Sequence, residues 1–457
     1  REMRQTALAR VASRVKHFQD RNRGPKGRRG PAIFDQLVHV KLKPDMTLEA
    51  AINDLGNNPH VEYSEPNFVV NTLDNFPNDS DINLLWGLHN IGQTSGTAGA
   101  DIDAPAAWET STGSAEVVVA VIDTGIWADK GKSQYLREDV HGMDRIVAQY
   151  DALIGGELDK KSNSDGNGHG SHVTSLMVSS RYKDSEFNGV APNADLIAVR
   201  AFDAEGQGTY ADVIRAIDWV VNNKDVYNIR VMNLSFSAEP RSFYWDDPLN
   251  QAVMAAWQSG IVVVASAGNK GPEPMTVGAP GNVPYVITVG AMTDNRTADD
   301  PSDDRLASFS SAGPTAEGFV KPEILAPGGR VRGLMEKNHR LAKTRPHFHD
   351  GDGYYTMSGT SQSAAVVSGV AALLLQYDPT LTPDEVKCRL IASARPAVAP
   401  DGQLVYSIFQ QGAGLVDAHR AVYSSATACA NQGLDIAADL AGDQHFPGRA
   451  NLDEEGN

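Results

Sequence analysis

VVVAVIDTG, residues 117–125, decides the fold class: six apolar residues in unbroken succession, then a carboxylate, then a Thr-Gly turn. A strand with one wet face alternates apolar and polar residues. A run without alternation is buried on both faces, as in a parallel sheet. Near-continuous runs recur at RIVAQY (145–150), LIAVRAF (196–202), IRVMNLSF (229–236), IVVVASAG (261–268) and VITVGAM (286–292). Helical stretches lie between them, TYADVIRAIDWVVNN (209–223) and PLNQAVMAAWQSG (248–260). This pattern predicts one large α/β domain over about residues 84–424, doubly wound around a mostly parallel sheet. In such sheets the chemistry sits beyond the carboxyl ends of the strands.

The strand ends carry unusual residues. Asp123 directly follows apolar sequence, and burying a carboxylate unpaired is costly, so it needs a partner. Ser235 ends VMNLS and Asn269 ends IVVVASAGN. In NGHGSHVTSLM (167–177), His169 stands between two glycines just before a helix, with His172 three residues on. His172 is expected to be a satisfied core histidine. An HxxH pair can bind metal, but no third ligand is spaced nearby. In MSGTSQSAAVVSGVAALLLQ (357–376), a Gly turn feeds Ser361 into a helix that is apolar almost all round, hence buried. A hydroxyl there meets unpaired backbone N–H groups and the positive end of the helix dipole. The simplest role for Ser361 is an N-cap. Its companions argue for more. A serine hydroxyl is a poor nucleophile until a base takes its proton, and the base needs a carboxylate to hold its tautomer.

The order Asp123, His169, Ser361 is that of subtilisin. VIDTGI, GHGSHVTS and SGTSQSAA resemble the three active-site blocks of the subtilisin-like serine proteases, and SAGN (266–269) resembles the block that supplies their side-chain oxyanion donor. GVAPNADLIAVR (189–200), LTPDEVK (381–387) and GAGLVDAHRAV (412–422) are further family-like stretches. The resemblance implies an endopeptidase acting on polypeptides. Ser361 would be the nucleophile, His169 the general base, Asp123 its orienter, and Asn269 with the Ser361 N–H the oxyanion donors. Losing such an amide costs about 10²–10³ in turnover, a figure belonging to subtilisin itself. It also implies that Gly208 and Ser235–Ser237 pair with the substrate backbone. Gly278 would floor the pocket for the residue before the scissile bond, with Lys270 at its rim, tolerant of an acidic side chain. Structural, non-catalytic calcium is expected, with Asp139 and Asp184 as candidate ligands. Three departures stand out. Gln362 replaces the oxidisable methionine of many relatives, Ala365-Val366 replaces Pro-His, and the segments WADKGKSQYLREDV (127–140) and LMEKNHRLAKTRPHFHDGDG (334–353) are long. The second is expected to rim the cleft, with His347 and His349 as exposed loop residues. A silent peptide-binding scaffold and an enzyme dedicated to one partner are the competing readings.

Charge is unevenly placed. The 457 residues carry a net −17, yet residues 1–30 hold ten Arg or Lys against Glu2 and Asp20, which leaves −25 on the rest. An acidic body argues against nucleic acid as a partner. No run of 18 apolar residues suits a membrane span. A secreted monomer is expected. Residues 5–20 read as a basic helix and RNRGPKGRRG (21–30) as a loop. LVHVKLK (37–43), the helix LEAAINDL capped by Thr47, and VEYSEPNFVV (61–70) read as a small α+β unit. VEYSEPNFVV resembles the end of the propeptide that folds and inhibits these enzymes. Residues 1–73 are therefore expected to be an inhibitory propeptide, with no clear first strand near Arg1, cut by the enzyme itself between Leu73 and Asp74. NFPNDSDIN (75–83) reads as a linker, residues 74–428 as the catalytic domain, and 429–457 as an acidic tail or the start of a further domain. Cys388 and Cys429 are too few for a disulfide scaffold; if they touch, a single bridge fastens the tail.

Overall fold

The computed structural model describes residues 12–17, 38–59, 61, 64, 84–93, 96–129, 131–181, 186–187, 189–294, 305–399 and 401–450. Two compact units divide the chain, 1–73 and 74–457.

In the first unit β1 (Ala12–His17) pairs antiparallel with β2 (Val38–Leu42), His17 opposite Val38 and Ala12 opposite Leu42. The helix expected over residues 5–20 is thus corrected to a strand at 12–17. Val11 and Val15 stand four apart, which suits a helix face, but β-branched residues also suit a ladder, and a partner strand outweighs so weak a local preference. Helix α1 (Leu48–Gly56) begins where expected, the Thr47 hydroxyl accepting the Ala50 N–H at 3.2 Å. Ala51 and Leu55 turn inward against Val40, Leu42, Met46 and Val61. Most of the strand expected at 61–70, and the linker at 75–83, lie outside the described residues.

Among the described residues, the second unit is built on seven parallel strands. In chain order its principal elements are β3 (Val118–Asp123), β4 (Ile146–Asp151), α2 (His169–Val178), β5 (Asp195–Arg200), α3 (Tyr210–Asn222), β6 (Ile229–Leu234), α4 (Pro248–Gln258), β7 (Val262–Ser266), β8 (Ile287–Thr293), β9 (Ile324–Pro327), β10 (Val331–Leu334), α5 (Arg340–Thr344), β11 (Tyr354–Met357), α6 (Thr360–Tyr377) and α7 (Pro383–Ser393). The sheet runs β4-β5-β3-β6-β7-β8-β9, with two-to-three-residue antiparallel additions at Gly156–Leu158 and Arg305–Leu306. Val118, Val119, Ala120, Val121 and Ile122 are all buried, as a strand covered on both faces requires. Strand order reverses at β3, whose neighbours are β5 and β6. That makes its carboxyl end the switch point where an α/β sheet opens a crevice. Helix α6 is buried from Thr360 through Leu375 and packs on α2, β6, β7 and β8.

The C-terminal stretch, expected as an acidic tail or the start of a further domain, is fastened to the rest of the second unit over residues 429–450. A disulfide joins Cys429 to Cys388 of α7. Beyond it, α8 (Ile436–Ala441) packs on α4. The buried Asp439 accepts hydrogen bonds from the hydroxyls of Tyr244 and Tyr285, at 2.6 and 2.9 Å. A polar sequence docks here because its carboxylate finds two buried donors and the bridge limits how far it can stray.

Candidate active site

Asp123, 3% exposed at the end of β3, has found its partner. His169 Nδ1 lies 2.8 and 2.9 Å from its two carboxylate oxygens, and the Thr124 N–H donates to Oδ1 at 2.7 Å. The glycines beside His169 explain its placement. Gly168 has φ +107°, a conformation disfavoured for other residues, and it turns the chain into α2. A Cβ on Gly170 would collide with the Gly125 carbonyl oxygen, so only glycine lets the helix start come so close to the turn after Asp123. Burial disfavours a charged His169 imidazole, but the charge and hydrogen bond of Asp123, with Asp165 behind it, outweigh that and raise its pKa.

Sequence reading missed Asp165. Its Oδ1 accepts from the Thr124 hydroxyl and from the Asn167 and Gly168 N–H groups, and its Oδ2 accepts from the N–H and hydroxyl of Ser171. Burial opposes its charge, but attraction to a charged His339 and the hydrogen bonds from Ser171 and Gly168 outweigh that, and its pKa falls below the usual carboxylate value. A carboxylate a few residues before a helix start is an N-terminal signal that would have drawn attention to it. His172 is fully buried and its Nε2 bonds the Tyr355 carbonyl at 2.9 Å. Burial pushes its pKa down to about 3, so it stays neutral.

Ser361 is the second residue of α6. Its hydroxyl donates to the Ser235 carbonyl at 2.8 Å, and the Ser235 hydroxyl returns a bond to the Ser361 carbonyl at 2.9 Å. Among the described residues no hydrogen bond joins it to His169, although the helices carrying the two pack together. Such bonds commonly tighten only with substrate in place. Asn269 is oriented by Thr360, a second residue that sequence reading missed: its Oδ1 accepts the Thr360 N–H at 3.0 Å and the hydroxyl at 3.1 Å. The amide nitrogen of Asn269 is thereby aimed the other way. A Cβ placed on Gly359 would lie 3.5 Å from that nitrogen and 3.8 Å from the Ser361 nitrogen, so the two donors converge beside this glycine. Gln362 is buried.

The remaining expected residues surround this point unevenly. Ser235 is buried and its side chain is committed to Ser361, whereas Ser237 and Gly208 are exposed. Gly278 is buried beneath Ser237 and Ala238, which leave no room for a Cβ. Lys270 Nζ lies 3.3 Å from Glu239 Oε2, so its charge is already partnered at the rim. His349 corrects its expectation as an exposed residue: its ring is mostly covered and its Nε2 bonds the Met335 carbonyl at 3.0 Å. Asp139 Oδ1 closes a turn by accepting the N–H groups of His141 and Met143. Asp184 lies outside the described residues, and among those described no three His, Cys, Asp or Glu are grouped to hold a metal ion.

Comparison with known proteins agrees with this geometry. The model of the subtilase family, Peptidase_S8, matches residues 114–416. The serine protease AprX of Bacillus subtilis (strain 168) is 39% identical over 320 residues, covering 69% of this chain and 67% of AprX. A thermophilic serine proteinase of Bacillus sp. (strain AK1) is 32% identical over 327 residues, covering 72% and 66%. The match thus spans about two thirds of each relative's length. Among solved structures, fervidolysin from Fervidobacterium pennivorans, described as a keratinolytic enzyme related to subtilisin, superposes with a TM-score of 0.58 at 25% identity, over 78% of this chain and 48% of that one. A carboxylate-held histidine at the switch point of a parallel sheet, a serine at the start of a buried central helix and this agreement over most of the chain establish that the protein belongs to the subtilase family of serine proteases, which are peptide hydrolases.

Proposed function

We propose that the chain is a secreted endopeptidase that cuts polypeptides through Asp123, His169 and Ser361. The observation that carries this reading is the double contact of Asp123 with His169 Nδ1. It keeps the proton on Nδ1 and leaves Nε2 free to accept one. Ser361 Oγ attacks the scissile carbonyl carbon while His169 Nε2 takes its proton. The oxyanion meets the Asn269 amide and the Ser361 N–H. Collapse breaks the C–N bond, the amine leaves with the proton from His169, and an acyl-enzyme remains. Water then attacks the ester, giving its proton to His169, and Ser361 leaves with that proton as the acid is released. Asp123 stays ionised throughout. Gly208 and Ser235–Ser237 offer backbone edges for an added substrate strand, and Gly278 floors the pocket before the scissile bond. A fluorophosphonate probe should label Ser361 and no other serine. Labelling elsewhere, or none in folded protein, would remove the assignment and favour a silent scaffold.

Secretion is supported by the Cys388–Cys429 disulfide, since such bridges persist in oxidising compartments. Among the described residues no helix is long and apolar enough to cross a membrane. Structural calcium remains an expectation of the resemblance for the segment around Asp184, without a part in the chemistry.

The enzyme is made as a zymogen whose residues 1–73 are the inhibitory propeptide, released by self-cleavage after Leu73. Support comes from the division of the chain into units at that same bond. Leu73 suits a pocket floored by glycine. Val70 falls four residues before the bond, and Asn71, Thr72 and Asp74 disfavour helix there. N-terminal sequencing of the mature form should read Asp74 onward, and Ser361→Ala should show no such terminus. A start inside residues 21–30 would mean instead that an outside trypsin-like enzyme nicks the basic loop.

A further inference from the structure

We propose that residues 335–349, the larger part of the excursion between β10 and β11, are a brace that positions His169, and that its central contact is the backbone N–H of Arg340. This rests on the reading of His169 as the base and adds a part of the chain to its support.

The contacts follow the His169 loop and helix step by step. The first residues of α5 have N–H groups with no partner inside their own helix. Those of Arg340 and Leu341 donate to the carbonyls of Gly166 and Asn167, at 3.1 and 3.0 Å. One residue further, Gly168 packs so closely under the excursion that an added Cβ would lie 2.9 Å from Met335 Sδ and 3.0 Å from His339 Cβ. Along α2, the Ser175 hydroxyl accepts the Leu334 N–H at 2.8 Å, and His172 Nε2 meets the Tyr355 carbonyl at 2.9 Å. On the other side, His339 sets its ring edge against Trp127, four residues after Asp123, with centroids 6.1 Å apart. The brace is itself anchored. Met335, Ala342 and Tyr355 form a small buried core with Leu341 and Met357, and Met357 leads into the Ser361 loop. The excursion therefore does more than rim the cleft: it bears on the segments that carry all three triad residues.

A base displaced by a fraction of an ångström loses much of its rate advantage, up to about 10²-fold for 1 Å. The contact can be broken at this one point, because proline lacks the N–H and its ring would press on the Gly166 carbonyl. Arg340 is the first residue of α5, where proline is well tolerated, and His339 has φ −61° and ψ 150°, the conformation a residue before proline requires. Arg340→Pro deletes the bond to Gly166 along with an exposed ion pair to Glu205 at 2.9 Å. Glu205→Gln deletes the ion pair alone. With rates normalised to serine sites titrated to completion by a fluorophosphonate, Arg340→Pro should lower kcat about tenfold with KM within about twofold. The rate of fluorophosphonate labelling, which needs base and nucleophile but no bound peptide, should fall by the same factor. Met335→Ala should give the same signature, and Glu205→Gln should match the parent. The brace is refuted by a raised KM at unchanged kcat, by a loss that vanishes on normalisation, or by Glu205→Gln reproducing the drop. If the parent enzyme itself fails to label at Ser361, the triad assignment has failed rather than the brace.

Discussion

Replacing Ser361 with alanine lowers turnover by about 10⁴–10⁶, the scale known for subtilisin's own nucleophile rather than one computed from this geometry. The acyl-enzyme route disappears, because no other hydroxyl stands at the start of α6 beside both Asn269 and the Ser361 nitrogen. Thr360, the nearest candidate, is buried with its hydroxyl already engaged by Asn269 and Gly268. Folding should survive. The substitution removes one hydrogen bond to the Ser235 carbonyl, worth about 1 kcal/mol, and alanine favours helix. Peptide hydrolysis followed beside a thermal melt checks both halves. Near-normal activity in a folded Ser361→Ala protein would overturn the assignment of the nucleophile.

Asp123→Asn should cost about 10⁴ in kcat with the fold intact. The asparagine oxygen can still accept the Thr124 N–H that Asp123 takes at 2.7 Å. Its NH₂, however, donates toward His169 Nδ1 where a carboxylate accepted. The histidine proton is then driven to Nε2, and the nitrogen that should receive the Ser361 proton is occupied. The pH profile carries a second signature. Activity requires neutral His169, so it rises with pH through the His169 pKa, which lies above the ordinary histidine value. Burial opposes that rise, and Asp123 is the main cause that outweighs it. Removing the carboxylate leaves burial less opposed, so the acid limb of kcat/KM should move to lower pH. A limb that stays in place or moves up would show that Asp123 does not set the charge state of His169.

These two results concern the part of the protein that could be read from its residues. Asp123, His169, Ser361 and Asn269 each stand at the end of a strongly patterned run, and the patterning predicts both the element and its terminus. Each then meets a partner in the fold: Asp123 and His169 each other, Asn269 the backbone of Thr360, and Ser361 the Ser235 carbonyl. Harder to read was anything whose partner lies far away in sequence. Ala12 to His17 suits a helix or a strand, and β2 decides between them. Asp165 looks like one more loop carboxylate until Thr124 and Ser171 close on it from two elements.

By itself the sequence determined the class of the fold, the order of the main strands of the second unit, and the candidates for the chemistry, because burial on both faces and element ends leave local signatures. Tertiary structure alone decided which of those residues touch and what holds them in place. Thr360 orients the Asn269 amide, the 335–349 excursion bears on the His169 loop, and Cys429 reaches Cys388 across 41 residues of chain. The reason is physical. Contacts between distant segments depend on how the packed layers bring them together, and neither a hydrogen-bond donor nor a thiol carries any mark of its partner in its own neighbourhood.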